Sequence, residues 1–296
     1  MRLPPHILVV NGIKVRRPVF LIGAPHSGTD LLARALKRSP GFHVTMGRAS
    51  VAHVVYAFAR KPSIGQTSGA VRVMRDALAE SWQVLARSCG QCAESCREAG
   101  GVTGTGPCVS AGDITRFGDG SPDLLYSAHV LLQAFPDARF VQLIRDGRDV
   151  VAGMLDDPAC LAWFKPVMLT EQTEFPNPFL GVNKDEHLER WKGMPAAGKS
   201  ALRWRSAVRM SAELRRTLPE EQLLTLRYED LVLKPAPSVA MLAEFLETRV
   251  SKVVLYDTGV PRVGAWRAKL RGPDLELVEK VAREELKRLG YVNSRP

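Results

Sequence analysis

The stretch Gly23-Ala24-Pro25-His26-Ser27-Gly28 stands between an apolar run at residues 19–22 and a stripe made by Leu31, Leu32, Ala35 and Leu36. A tight loop from a buried strand into a helix turns successive backbone N–H groups and the helix N-terminus toward one point, which favours a phosphate or sulfate there. The spacing of Gly23 and Gly28 fits a nucleotide phosphate loop, but Thr29-Asp30 stands where such a loop needs Lys followed by Ser or Thr. Without the lysine and the magnesium-binding hydroxyl, a P-loop kinase is disfavoured. A second chemistry-bearing group is Cys89, Cys92, Cys96 and Cys108, whose spacing can place four thiolates around one structural Zn²⁺. Four sulfurs would leave no open position for a substrate.

Several elements must position these residues. Asn11-Gly12 between two apolar segments predicts a hairpin leading into the loop strand. Residues 42–59 predict a short strand or turn and then a helix, residues 61–69 a loop, and Val71, Met74, Leu78, Trp82 and Leu85 an amphipathic helix. Residues 100–123, rich in glycine, predict an irregular loop within a cysteine-containing insertion at 88–123. A helix on Leu124 to Phe135 precedes a second buried strand, 139–144, which runs into Arg145-Asp146-Gly147-Arg148-Asp149 and another helix. Two strand–turn–helix units predict a parallel sheet with ligands at its carboxyl ends. Residues 155–197 hold many prolines and aromatics without a period and predict a lid or acceptor-binding segment. A helix around Ala207 to Leu218, a strand at 222–227 and two further helices, on Val239 to Leu246 and Leu275 to Leu289, complete the chain.

The 296 residues carry 41 Lys and Arg against 31 Asp and Glu, a formal charge of +10 that suits an anionic ligand. The charge is dispersed, with no basic tail of the kind that binds nucleic acid. No run of 18 apolar residues and no leader pattern is present, which predicts a soluble, cytoplasmic protein of one domain spanning 1–296.

The loop, read as Gly23-Ala24-Pro25-His26-Ser27-Gly28-Thr29-Asp30, resembles the 5′-phosphosulfate loop of sulfotransferases. Residues 135–151, centred on Arg145-Asp146-Gly147-Arg148-Asp149, look like that family's 3′-phosphate segment. Arg227-Tyr228-Glu229-Asp230-Leu231-Val232 and Val263-Gly264-Ala265-Trp266-Arg267 are similar to its later elements, in the same order. The resemblance implies a P-loop-like three-layer α/β domain, with a central parallel sheet flanked by helices. It also implies transfer of a sulfuryl group from 3′-phosphoadenosine 5′-phosphosulfate (PAPS) to a hydroxyl or amine of a small-molecule, lipid or glycan acceptor.

By the same resemblance Pro25, His26, Ser27, Gly28, Thr29 and Asp30 cradle the 5′-phosphate and sulfate. Arg145 holds the 3′-phosphate, and Tyr228 with Arg262, Val263, Gly264 and Trp266 closes over the nucleotide. Glu229 and Asp230 are structural. Three positions depart from the family pattern. His26 replaces a basic residue that neutralises the departing phosphate, a role open to a protonated imidazole. Asp30 replaces a hydroxyl, and Gly153 stands where a serine, eight residues after the arginine, is the second 3′-phosphate ligand. No glutamate follows the loop helix, so His43 is the nearest candidate base. These departures also leave open a nucleotide-binding relative that has lost transfer.

Overall fold

The computed structural model describes residues 7–85, 88–104, 106–165, 173–251 and 262–292. Strands β1 (Val9–Val10) and β2 (Ile13–Lys14) pair antiparallel around Asn11-Gly12, as the turn residues predict. The main sheet is built from β3 (Val19–Gly23), β4 (Phe42–Thr45), β5 (Arg116–Asp119), β6 (Arg139–Ile144) and β7 (Leu223–Arg227). They lie in the order β4-β5-β3-β6-β7, with every pair parallel.

Helices cover both faces, and the central strand β3 carries no polar side chain. Successive side chains of a strand point to opposite faces, and β3 divides accordingly. Phe20 and Ile22 enter a core with Trp82, Phe117, Phe135 and Phe140 on one side. Val19 and Leu21 enter a second core with Leu32, Leu36, Val141 and Leu242 on the other. At roughly 1.5–3 kcal/mol per buried large apolar side chain, these two layers hold β3, and with it the loop at its end, in fixed register.

The helices in chain order are α1 (Thr29–Lys37), α2 (Ala49–Arg60), α3 (Pro62–Gly65), α4 (Ser68–Ser81), α5 (Glu94–Ala99), α6 (Ala128–Ala134) and α7 (Gly147–Leu155). They continue with α8 (Pro158–Ala162), α9 (Leu188–Lys192), α10 (Ala196–Thr217), α11 (Tyr228–Leu233), α12 (Pro235–Leu246), α13 (Trp266–Lys269) and α14 (Gly272–Arg288). No helix among the described residues is long and apolar enough to cross a membrane.

Three local expectations are corrected. The segment 61–69 carries the one-turn helix α3, begun by Pro62, and then the start of α4. Helix α4 ends at Ser81, and Leu85 lies exposed beyond it. The supposedly irregular stretch before residue 123 contains β5, a strand of Arg-Phe-Gly-Asp. Its fit depends on partners distant in sequence: Trp82 Nε1 donates to the Gly118 carbonyl at 2.9 Å, and Phe117 packs on the Trp82 ring at 5.3 Å.

Residues 173–197, together with Leu161, Trp163 and Phe164, build a small core of their own. Phe179, Leu180, Val182 and Trp191 are buried in it with Tyr126 and Ala59. Residues 166–172 of the expected lid, and residues 258–261 of the C-terminal loop, lie outside the described residues.

Candidate active site

The carboxyl ends of β3, β5 and β6 meet at one place, which brings the phosphate loop beside Arg145 and Ser121-Pro122-Asp123. In the loop Ser27 N donates to the Ala24 carbonyl at 3.1 Å, closing the turn. His26 adopts φ of +63°, a left-handed conformation uncommon for a residue with a side chain. Gly28 has φ of +101°, and a Cβ there would lie 2.5 Å from Tyr228 Cδ2, so only glycine admits the Tyr228 ring against the loop. Ser27 Oγ is buried and makes no protein hydrogen bond, an orphan that an anion in the loop would satisfy.

Arg145 follows β6 directly and is drawn onto the loop. Its Nη1 donates to the His26 carbonyl at 2.9 Å and its Nη2 to the Arg262 carbonyl at 2.5 Å, while the guanidinium lies 4.0 Å over the Tyr228 ring. Asp149, one turn on, is 3.8 Å from Nη2. Arg145 Nε is also buried without a partner. This arginine therefore ties together the loop at residues 23–28, the Tyr228 element and the C-terminal segment.

Asp149 performs a task that the sequence reading did not assign. Its two oxygens accept from Gly264 N at 2.8 Å and Trp266 N at 2.9 Å, pinning the Val263-Gly264-Ala265-Trp266 turn over α7. The guanidinium groups of Arg148 and Arg267 lie 4.3 and 4.6 Å from the centre of the Trp266 ring, whereas Arg262 and Val263 are exposed. Glu229 accepts from Asp146 N and from the Tyr291 hydroxyl, a structural role that matches its reading.

Beside the loop opens a cavity of about 460 Å³, walled by Pro25, His26, Thr29 and Asp30 on one side and Val55, Tyr56 and Trp163 on another. Asp123, Asp157 and Cys160 also line it. Asp123 is held by the fully buried Arg203 at 2.7 Å. Asp157 caps α8 by accepting from Ala159 N and Cys160 N, and its other oxygen meets His26 Nε2 at 2.9 Å. The Asp157-Pro158 pair is a helix-start signal that could have located this carboxylate, but nothing local connects it to His26.

His43 is not placed for the base role. It lies within β4, only 6% exposed, with neither ring nitrogen bonded and its edge toward Phe117, outside the cavity lining. Burial, with Lys37 and Arg48 nearby, pushes it down to about 3. It stays neutral and apolar in behaviour, a strand residue rather than a proton acceptor for the cavity.

The four cysteines also differ from the zinc expectation. Cys92 and Cys96 are hydrogen-bonded to one another, and Cys108 N donates to Cys89 Sγ at 3.0 Å. Lys37 Nζ interacts with Cys96 and donates to Cys108 Sγ at 3.2 Å. The hydrogen bond with Cys92, aided by Lys37, draws the Cys96 thiol down to about 6 against the effect of burial. Among the described residues the only three His, Cys or acidic ligand atoms mutually within 4.8 Å belong to His26, Asp157 and Cys160. Sulfurs in two pairs, with an ammonium already supplying positive charge between them, do not fit a four-thiolate zinc centre.

The fold and loop define a P-loop-like α/β protein with a candidate anion site at the carboxyl end of its sheet. Residues 18–157 match the model described as the sulfotransferase family. Similar solved structures include the sulfotransferase domain of the Synechococcus PCC 7002 olefin synthase, 16% identical, covering 90% of this chain and 94% of that one with a TM-score of 0.45. The sulfotransferase STF9 of Mycobacterium avium is 14% identical over 93% of this chain and 77% of its own, with a TM-score of 0.48. Mouse sulfotransferase SULT7A1, complexed with PAP, is 13% identical over 95% and 89%, with a TM-score of 0.45. A search of curated proteins found no match.

Proposed function

We propose that this protein transfers the sulfuryl group of PAPS to a hydroxyl or amine of a small-molecule, lipid or glycan acceptor. The observation that carries this reading is the orphaned Ser27 Oγ inside a closed loop to which Arg145, itself with an unpartnered Nε, is drawn. Two buried donors without partners beside one loop fit an anionic ligand, and the missing lysine and hydroxyl at Thr29-Asp30 disfavour a magnesium nucleotide.

When bound, PAPS supplies an activated sulfuryl group. The Ser27 hydroxyl and the backbone N–H groups of Gly28 and Thr29 would hold the 5′-phosphate end, and Arg145 would exchange its bonds to the His26 and Arg262 carbonyls for charge-assisted bonds to the 3′-phosphate. Tyr228 and the turn pinned by Asp149 close over the nucleotide. The cavity beside Thr29 and Asp30, with Val55, Tyr56 and Trp163 in its walls, is large enough for a drug-sized acceptor. Its carboxylates, Asp30, Asp123 and Asp157, are the groups available to take the acceptor's proton. A cytoplasmic location accords with this donor.

Thermal unfolding with 3′-phosphoadenosine 5′-phosphate (PAP), against ATP with magnesium, tests the reading. At about a hundredfold over Kd, PAP should stabilise by about 2.7 kcal/mol, a rise of a few degrees. Arg145→Ala should abolish the shift. A preference for ATP with magnesium, or no response to PAP, overturns the proposal.

A further inference from the structure

Two of the departures from the family pattern meet in space. A Cβ built on Gly153 would lie 2.9 Å from His26 Cβ and Cγ and 3.0 Å from His26 Nδ1, so the imidazole occupies the room that a side chain at 153 would need. Position 153 is where the resemblance places the serine that helps Arg145 hold the 3′-phosphate. His26 is also joined to that arginine, since its carbonyl accepts from Arg145 Nη1 at 2.9 Å. The Nε2 side of the ring is engaged by Asp157 at 2.9 Å, which leaves Nδ1 as the nitrogen on the Gly153 side.

We propose that His26, seated in the space left by Gly153, is the second ligand of the cofactor's 3′-phosphate, in place of the absent serine. This rests on the PAPS reading above and reassigns His26 within it, from the departing 5′-phosphate to the 3′-phosphate. Nε2 stays on Asp157 while Nδ1, on the Gly153 side, faces the phosphate. Asp157 acts as a positioning residue, fixed by its two backbone bonds at the start of α8.

Calorimetric titration of the whole protein with PAP and with 5′-AMP, which lacks the 3′-phosphate, decides the matter. The variant of choice is His26→Gly, because glycine accepts the positive φ without strain. Removing one charge-assisted hydrogen bond should weaken PAP binding about tenfold or more, while 5′-AMP affinity stays within about twofold. Gly153→Ser should also weaken PAP selectively, because the serine displaces the ring. In the double variant, where the ring no longer fills the space, the serine should recover most of the loss. Equal weakening of both ligands by His26→Gly, no weakening of either, or a double variant no better than His26→Gly alone would overturn the assignment. Failure of the unsubstituted protein to bind PAP would instead sink the cofactor reading and this inference with it.

Discussion

Gly153 and His26 are a matched pair: the missing side chain on α7 is the space in which the imidazole rests, with ideal Cβ contacts of 2.9 Å that no real side chain shows. Considered separately along the chain, the two positions look like two losses from a cofactor site. In the folded protein they are coupled, because a side chain at 153 and the present histidine ring exclude each other there.

The phosphate loop should not tolerate a methyl group at Gly28. Gly28→Ala combines φ of +101° with a Cβ 2.5 Å from the Tyr228 ring. A loss of about 1–3 kcal/mol in urea unfolding is expected. PAP binding should fall as well, because either the loop or Tyr228 must move. Unchanged stability together with unchanged binding would show that the loop packs differently.

Asp149 should act on cofactor affinity at a distance from the loop. Asp149→Asn keeps the shape but replaces one acceptor oxygen with an amide that repels the N–H of Gly264 or Trp266. It also leaves Arg145 without its neighbouring carboxylate. PAP affinity is expected to drop about tenfold by titration calorimetry, in line with the loss of a hydrogen bond to a charged group. Full affinity in this variant would mean that the C-terminal turn plays no part in closing the site.

His43 should make the fold sensitive to acid. Its pKa is about 3 when folded against 6.5 unfolded, so the unfolded chain binds the proton first and stability falls as pH drops below 6.5. Between pH 6.5 and 5 this group alone removes about 2 kcal/mol, at about 1.36 kcal/mol per unit. Its contribution is complete above pH 6.5 and exhausted near pH 3. In urea unfolding at pH 7.5 and 5, His43→Phe should lose less stability than the unsubstituted protein by about that amount. An identical slope in both proteins would contradict the buried, neutral histidine.

The cysteine pairs should hold no metal. Elemental analysis of protein purified without added metal is expected to find only a small fraction of one equivalent of zinc. Near one equivalent, with all four thiols protected from alkylation, would restore the four-thiolate centre.

Trp82 should anchor β5. It is fully buried, stacked on Phe20 and bonded to the Gly118 carbonyl. Trp82→Phe should lose about 1 kcal/mol with the hydrogen bond, and Trp82→Ala about 3–5 kcal/mol, in denaturant unfolding. Equal, small losses would place the indole outside the core.

By itself, the sequence determined the elements whose information is local. Residues 19–22 are an uninterrupted apolar run and residues 139–144 a mostly apolar one, with Phe140, Val141, Leu143 and Ile144, because both faces of those strands are buried, and their glycine- and charge-rich ends marked the loop and Arg145. The Asn11-Gly12 turn was legible for the same reason, since backbone preferences act over a few residues. Tertiary structure decided whatever depends on neighbours distant in the chain. Arg116-Phe117-Gly118-Asp119 is a strand because β3 and β4 supply hydrogen bonds on both sides, and no apolar run announces it. His43 became a core residue through burial against Phe117. Lys37 and the cysteines are neighbours only because α1 and α5 pack together. The cavity and the contact between His26 and Gly153 join positions more than a hundred residues apart, a distance over which periodicity and motif spacing carry no information.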